Sequence, residues 1–410
     1  MKLLILTQYY PPETGAPQNR LHELALHLKD LGLDVEVLTA MPNYPKMETF
    51  EAYRGKGSLL ERIDGVKVYR SRIYVKKNAG IVGRLLNYYS FVWSSFFTGW
   101  RRLPSYDYIM VESPPLFLGK TALLLCKLKG AKMIFNVSDL WPESAEKLGL
   151  VSNRIFLRAA SWLEEFLYRQ STLITGQTQG IVANISARFP QKRVHWLPNG
   201  VDPAYFDQPT TNRKWRVDKR FREDQLLLLY AGIIGHAQGL ETILEAAAIL
   251  QQQGEHAAQF ILLGDGPRKA DLMAKKESMA LKNVHFFDPV AKSVIPDIIK
   301  AVDVAVVPLR KLPLFEGAIP SKIFENLALE KPLLLGVDGE ARELFIEQGR
   351  AGLYFTPEDY SDLADQVIRI LRKEVDVAAL GSNGREYVLR HFNRKDIARK
   401  FFDVLESLQA

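Results

Sequence analysis

The sequence predicts an α/β protein of two doubly wound, Rossmann-like domains facing a cleft. Apolar segments of strand length alternate with helical segments along the whole chain, the pattern of parallel sheets covered on both faces. The alternation restarts after a polar, charged, Pro-containing stretch at about residues 198–224, which reads as a hinge. The length of 410 residues also exceeds the roughly 250–300 that one hydrophobic core accommodates.

The first domain, residues 1–200, opens with an apolar strand at Leu3–Leu6. A loop at 7–17, a helix from about Gln18 to Leu31 and a strand at Val35–Thr39 follow. Further strands are expected at Val66–Tyr69, Tyr108–Val111, Met133–Val137, Leu173–Thr175 and Val194–Leu197. The second domain, residues 201–384, begins with a strand at Leu226–Tyr230 and a helix at Leu240–Gln252. Strands at Phe260–Leu263, Val284–Phe286, Val304–Val307 and Leu333–Gly336 then alternate with helices at Lys269–Leu281, Val294–Ala301 and after Pro320. Ligands of such sheets bind at the carboxyl ends of the strands.

Composition excludes several classes. The single cysteine, Cys126, permits no internal disulfide. With a start (Met1 to Leu6) too short for a signal peptide, this predicts a reducing, cytoplasmic compartment. No apolar run reaches the roughly 18 residues of a membrane span. Charge is uneven: residues 1–200 hold 26 basic and 16 acidic residues, whereas residues 201–410 hold 28 and 31. Residues 51–102 alone carry 11 basic and 3 acidic side chains, which points to an anionic partner. Nucleic acid fits poorly, because this charge sits among aromatics and the second half is acidic. No DxD, HExxH or cysteine cluster offers a metal site, and no GxGxxG offers a dinucleotide site.

The most informative segment runs Gly317-Ala318-Ile319-Pro320-Ser321-Lys322-Ile323-Phe324-Glu325. A Gly- and Pro-containing loop enters a helix that Ser321 is placed to cap. Ile323, Phe324, Leu327 and Ala328 recur at helical spacing and face a core. Lys322 and Glu325 remain on the other side, a cation for phosphate beside a carboxylate for sugar hydroxyls. Alone, this is also the pattern of any capped amphipathic helix. Four further loops weigh against that reading. Gly15 precedes the first helix; Gly232 and Gly235 occupy the equivalent loop of the second domain. Gly264 and Gly266 end another strand, and the stretch to Val290 ends the next, where open backbone before Pro289 can read a base edge. Asp139, at the end of the Met133–Val137 strand, is either a cleft carboxylate or the cap of a helix near Pro142.

These residues resemble retaining glycosyltransferases of family 4, with the GT-B fold, over essentially the whole chain. The carriers are Pro198-Asn199-Gly200-Val201-Asp202, Leu263-Gly264-Asp265-Gly266-Pro267 and Pro320-Ser321-Lys322 through Glu325. Narrower motifs are Tyr9-Tyr10-Pro11-Pro12-Glu13-Thr14-Gly15-Ala16, Met41-Pro42-Asn43-Tyr44-Pro45 and Asp139-Leu140-Trp141-Pro142-Glu143-Ser144. They look like the WbuB/WcaI-type subgroup of O-antigen and exopolysaccharide assembly, with N-acetyl-L-fucosamine transferases most similar. The resemblance implies a nucleotide sugar, UDP-linked, held by the second domain and an acceptor held by the first. It implies no metal and no further cofactor. Glu325 matches the carboxylate that binds the ribose, and the backbone from Ala318 through Ile319 and Pro320 to Lys322 would hold the diphosphate. Gly15 matches the glycine near the leaving phosphate; Tyr10, Asn43, Tyr44 and Trp141 are the acceptor-side candidates. It also implies that the terminal segment, about 385–410 with a helix at Lys395–Leu408, packs on the first domain.

Three departures from the family pattern stand out. The first Glu of its pair falls on Gly317, with Glu316 one place off. Its phosphate-binding Arg and Lys fall on Ile233 and Gln238, leaving Lys322 first, then Arg310 or Lys311, to supply positive charge. Its usual cleft His falls near Ser138, beside Asp139. The catalytic candidates are therefore Asp139, Lys322 and Glu325. A retaining transfer without a placed nucleophile needs preorganised charge and positioning more than catalytic side chains. The aromatic stretch Leu85 to Trp100, flanked by Lys76, Lys77, Arg84, Arg101 and Arg102, suits either an anionic membrane surface or a core helix with a basic rim. Contact with the inner face of the plasma membrane follows from the first reading. The rival class is a sugar-nucleotide 2-epimerase of the same fold, which needs no acceptor.

Overall fold

The computed structural model describes residues 1–44, 47–76, 81–149, 151–203 and 214–409. The chain divides into two compact units, Met1–Asn199 with Arg394–Ala410, and Gly200–Asn393.

The first unit is built on eight strands: β1 (Lys2–Leu6), β2 (Asp34–Ala40), β3 (Ser58–Ile63), β4 (Val66–Ser71), β5 (Tyr108–Ser113), β6 (Lys132–Val137), β7 (Leu173–Gly176) and β8 (Val194–Trp196). Their order is β3-β4-β2-β1-β5-β6-β7-β8, parallel except for β3, which runs antiparallel to β4. Runs such as Leu3-Leu4-Ile5-Leu6 are fully buried because helices cover both faces. Those helices are α1 (Ala16–Asp30), α2 (Ile81–Arg102), α3 (Leu118–Lys129), α4 (Glu143–Lys147), α5 (Arg154–Gln170) and α6 (Gln179–Arg188). The Asn153 carboxamide caps α5 by accepting from Ile155 and Phe156 N–H, each at 3.0 Å.

The second unit holds α7 (Lys214–Asp218) and the strands β9 (Leu226–Ala231), β10 (Ala258–Leu263), β11 (Val284–Phe287), β12 (Val304–Pro308), β13 (Leu333–Gly336) and β14 (Gly352–Tyr354). All are parallel, in the order β11-β10-β9-β12-β13-β14. The connecting helices are α8 (Glu241–Gln252), α9 (Lys269–Ser278), α10 (Ile295–Ala301), α11 (Lys322–Ala328), α12 (Tyr360–Leu371) and α13 (Val377–His391). The last helix, α14 (Arg394–Ser407), belongs to the first unit, where Ile397, Ala398, Phe401 and Leu405 join the core under α1.

Strand order reverses at β1 in the first sheet and at β9 in the second, so the loops after β1 and β5, and after β9 and β12, flank the switch points. Among the described residues, no helix is long and apolar enough to cross a membrane. Residues 204–213 of the stretch read as a hinge lie outside the described residues, as do Pro45 and Lys77.

Candidate functional site

In the second unit, three loops at strand carboxyl ends are locked backbone to backbone. Gly232 N–H donates to Leu263 O at 2.9 Å, Ile234 N–H to Asp265 O at 2.8 Å, and Gly264 N–H to Phe287 O at 3.0 Å. The contact is so close that a Cβ on Gly264 would lie 1.9 Å from Gly232 O, and one on Gly266 would lie 2.3 Å from Ile234 O. Both glycines also have positive φ, +152° and +157°. Gly232 and Gly235 sit in the loop after β9, and Val290 is exposed beyond β11. Lys269 Nζ staples the β10 and β11 loops, donating to Gly264 O at 3.0 Å and to Asp288 Oδ1 at 2.6 Å.

Helix α11 brings Lys322 against this floor. Its Nζ stands 3.7 Å from the centroid of the Tyr230 ring and 3.3 Å from where a Cβ on Gly232 would be. The Tyr230 hydroxyl is held by donation to Ile233 O at 2.5 Å, which fixes the ring under the ammonium. Lys322 is half-buried, and desolvation pushes its ammonium down to about 7, with the Glu325 carboxylate pulling the other way. Ile323, Phe324, Leu327 and Ala328 face the core, as their spacing predicts.

Two expectations about this helix need correction. Ser321 has helical backbone angles (φ −59°, ψ −27°) and its side chain makes no capping bond. The helix is also only seven residues long, so its dipole is a minor source of positive potential. The cation at the loop after β9 is the Lys322 ammonium. Ala318, Ile319 and Pro320 are half-buried in the approach to the helix. Glu316 is exposed in the preceding turn, where its carbonyl lies 2.1 Å from where a Cβ on Gly339 (φ +73°) would be. Arg310 is exposed, with Nε 3.5 Å from Glu358 Oε1, and Lys311 N–H donates to the same carboxylate at 2.8 Å. Neither side chain matches the approach of Lys322 to the glycine loop.

In the first unit, Asp139 is half-buried after β6. Burial raises its carboxyl, while the Ser144 hydroxyl and Leu140 N–H hold it down. Helix α4 starts with Pro142 as its cap residue, so Asp139 braces the preceding turn rather than capping the helix directly. Ser138 donates to Glu112, which also accepts from Arg20 Nη2 at 2.6 Å and from Asn136; Thr175 Oγ1 donates to Asn136 Oδ1 at 2.6 Å. Sequence reasoning missed this buried network. Its members lie far apart in the chain and no spacing signals them.

Glu13 is a second missed residue. Its buried carboxylate accepts from Tyr10 N–H at 3.2 Å, Asn43 N–H at 2.7 Å and Tyr44 N–H at 2.8 Å, tying the loop after β1 to the loop after β2. Burial raises this carboxyl and those three donors oppose the rise. Tyr10 and Asn43 are completely buried, so they shape the loops from inside and offer no surface to a ligand in this conformation. The Tyr10 hydroxyl lies 2.9 Å from His22 Nδ1. Tyr44 is half-buried with its ring edge-on to Tyr9, and Trp141 packs edge-on to Phe117 and Phe156. Gly15 is half-buried and extended at the start of α1; a Cβ there would meet only the end of the Gln18 side chain. Among the described residues no cluster of His, Cys, Asp and Glu has the makings of a metal site.

Glycine-floored loops at the switch point of a parallel sheet, with one cation drawn over them, are architecture for a nucleotide-bearing ligand. The chain is a glycosyltransferase of the GT-B fold. Residues 15–200 match the family described as glycosyl transferase 4-like domain, and residues 211–387 match glycosyl transferases group 1. It is 26% identical to the protein assigned as the colanic acid biosynthesis glycosyl transferase WcaI of Escherichia coli, over 98% of this chain and 99% of that one. It is 28% identical to the alpha-D-kanosaminyltransferase of Streptomyces kanamyceticus, over 52% of this chain and 54% of the relative. In fold it is similar to HepE of Anabaena, solved in complex with UDP and glucose, with a TM-score of 0.73 and 18% identity over 99% of this chain and 100% of the other. Sucrose-phosphate synthase from Thermosynechococcus elongatus superposes with a TM-score of 0.77 at 17% identity, over 99% and 98% of the two chains.

Proposed function

We propose that this glycosyltransferase moves a sugar from a UDP-sugar, with retention at the anomeric carbon and without a metal, to a lipid-linked saccharide during assembly of a bacterial surface polysaccharide. UDP-N-acetyl-L-fucosamine is the first donor to try. The observation that carries this reading is the placement of Lys322, over the Tyr230 ring and against Gly232.

Breaking the sugar–phosphate bond puts negative charge on the departing diphosphate. A desolvated ammonium held in place by its surroundings stabilises that charge without reorganising. Lys322, pushed down to about 7, gains a proton as the anion arrives, so nucleotide binding takes up protons above neutral pH. Glu325, one helical turn on, is assigned to the ribose hydroxyls. The glycine loops let the nucleotide approach the backbone, with Val290 beside the base. Asp139 and Trp141 are assigned to the acceptor side. The departing phosphate accepts the acceptor hydroxyl's proton on the face it leaves, a route that depends on positioning.

Helix α2 supports contact with an anionic membrane. Its inner face is buried through Asn87, Phe91, Val92 and Ser95, while Leu86, Tyr89, Trp93, Phe97 and Trp100 form an exposed stripe ending in Arg101 and Arg102. Phe91 and Val92 do join the first-unit core, as the alternative reading expects, but Trp93 at 61% exposure and Trp100 at 48% leave a large aromatic surface that this packing does not use.

The test is calorimetric titration with UDP, GDP, ADP and dTDP, without and then with magnesium. Metal-independent binding selective for UDP, and lost in Glu325→Ala, is expected. Binding only in the presence of magnesium, or no nucleotide binding, overturns the reading. Release of free epimerised sugar without an acceptor would indicate the epimerase instead.

A further inference from the structure

An open cavity of about 930 Å³ lies in the first unit, at the carboxyl ends of β2 and β4. Its apolar lining comes from Met41, Tyr53, Ile73, Tyr74 and Val75. Three cations, Arg54, Lys56 and Arg72, also line it. Arg54 is paired with Glu48 at 2.5 Å. Lys56 and Arg72 are exposed and enter no ion pair among the described residues. Met47, Glu48, Thr49, Gly55 and Gly57 line it as well, the Glu48 carboxylate being the one that pairs with Arg54. Ser90 and Ser94 of α2 complete the wall, and both are engaged: Ser90 Oγ accepts from Tyr74 N–H at 2.8 Å, and Ser94 Oγ donates to Arg72 O. These bonds tie the cavity wall to α2, where Trp93 and Phe97 are exposed on the face next to Ser90 and Ser94, at i+3 and i+7 from Ser90.

A small anion would satisfy the cations and leave the apolar lining wet. A neutral hydrocarbon would do the reverse. The combination fits a ligand with an anionic head and an apolar tail. We propose that this cavity seats the phosphate-bearing end of a lipid phosphate, with the phosphate against Lys56 and Arg72 and the first hydrocarbon units along Ile73, Tyr74 and Val75. The rest of the tail continues towards the exposed aromatics of α2 and the bilayer. The assignment rests on the reading of the acceptor as lipid-linked, and it names the surface that holds the lipid end of that acceptor.

The probe is farnesyl diphosphate below its micelle concentration, titrated calorimetrically into the full chain, with inorganic diphosphate and UDP in parallel. Farnesyl diphosphate is expected to bind at least tenfold more tightly than inorganic diphosphate. The Lys56→Ala/Arg72→Ala double variant is expected to lose at least tenfold in farnesyl diphosphate affinity while binding UDP as the unmodified chain does, which also reports that it has folded. Unchanged farnesyl diphosphate affinity in that variant, or equal affinity for inorganic diphosphate, overturns the assignment. A chain that binds farnesyl diphosphate as described but no nucleotide would instead overturn the donor reading.

Discussion

Replacing Lys322 with Met keeps the length of the side chain and removes its charge, and the structure predicts opposite effects on stability and on binding. The Lys322 ammonium is pushed from its usual 10.5 to about 7 by burial. The unfolded chain therefore binds more protons than the folded one between pH 7 and pH 10. Lys322 opposes folding most at pH 7 and below, and the protein gains stability as pH rises through that window. The shift sets a ceiling of about 4 kcal/mol on this penalty at pH 7. Partial exposure of the side chain and loss of about 1 kcal/mol of contact with the Tyr230 ring reduce the expected gain to about 1–2 kcal/mol. Lys322→Met should then unfold about 3–8 °C higher at pH 7, with a smaller gain at pH 9. Its affinity for UDP should fall by about 10–100-fold, the worth of a hydrogen bond to a charged group. Thermal unfolding at both pH values and calorimetric titration with UDP read the two effects. A variant that is less stable at pH 7 and binds UDP within twofold of the unmodified chain would refute the reasoning, and would make the ammonium a structural support for the loop after β9.

Gly266→Ala forces a methyl group to 2.3 Å from Ile234 O at a positive φ, and should cost the second unit at least about 2 kcal/mol in denaturant melts. Glu112→Gln leaves the buried Arg20 guanidinium without its counter-charge, and the same melts should show a loss of about 3–5 kcal/mol. Trp93→Ser/Phe97→Ser should reduce flotation with anionic liposomes at low salt while leaving UDP affinity unchanged. Flotation equal to that of the unmodified chain would remove α2 from the membrane reading.

Strands buried on both faces were legible because their apolar runs are continuous, as at Leu226 to Leu229 and Leu333 to Leu335. Strand β3 was not. Ser58–Ile63 is a half-exposed edge strand with Glu61 and Arg62 in it, and its pairing with β4 is antiparallel. Strand β14 was not either: its three residues, Gly352–Tyr354, begin with a glycine and hold no apolar run. At the site, the glycine loops and the inward face of α11 followed from spacing alone. The approach of Lys322 to Tyr230 did not, because the two residues are 92 positions apart and meet only through the order of β9 and β12. Arg70 shows the same limit: fully buried, it donates to Ala40 O at 2.9 Å, to Pro11 O and to Glu61, and so fixes the loop after β1 from β4. Ser321 shows the converse, since a residue type suited to capping adopts helical angles and caps nothing.

The most direct test of the central claim is a crystal structure of the protein with UDP bound. The account predicts the diphosphate beside Lys322 Nζ and the Gly232 backbone, with the ribose hydroxyls on the Glu325 carboxylate and the base near Val290. A nucleotide bound elsewhere, or one whose phosphates leave Lys322 untouched over the Tyr230 ring, would contradict it.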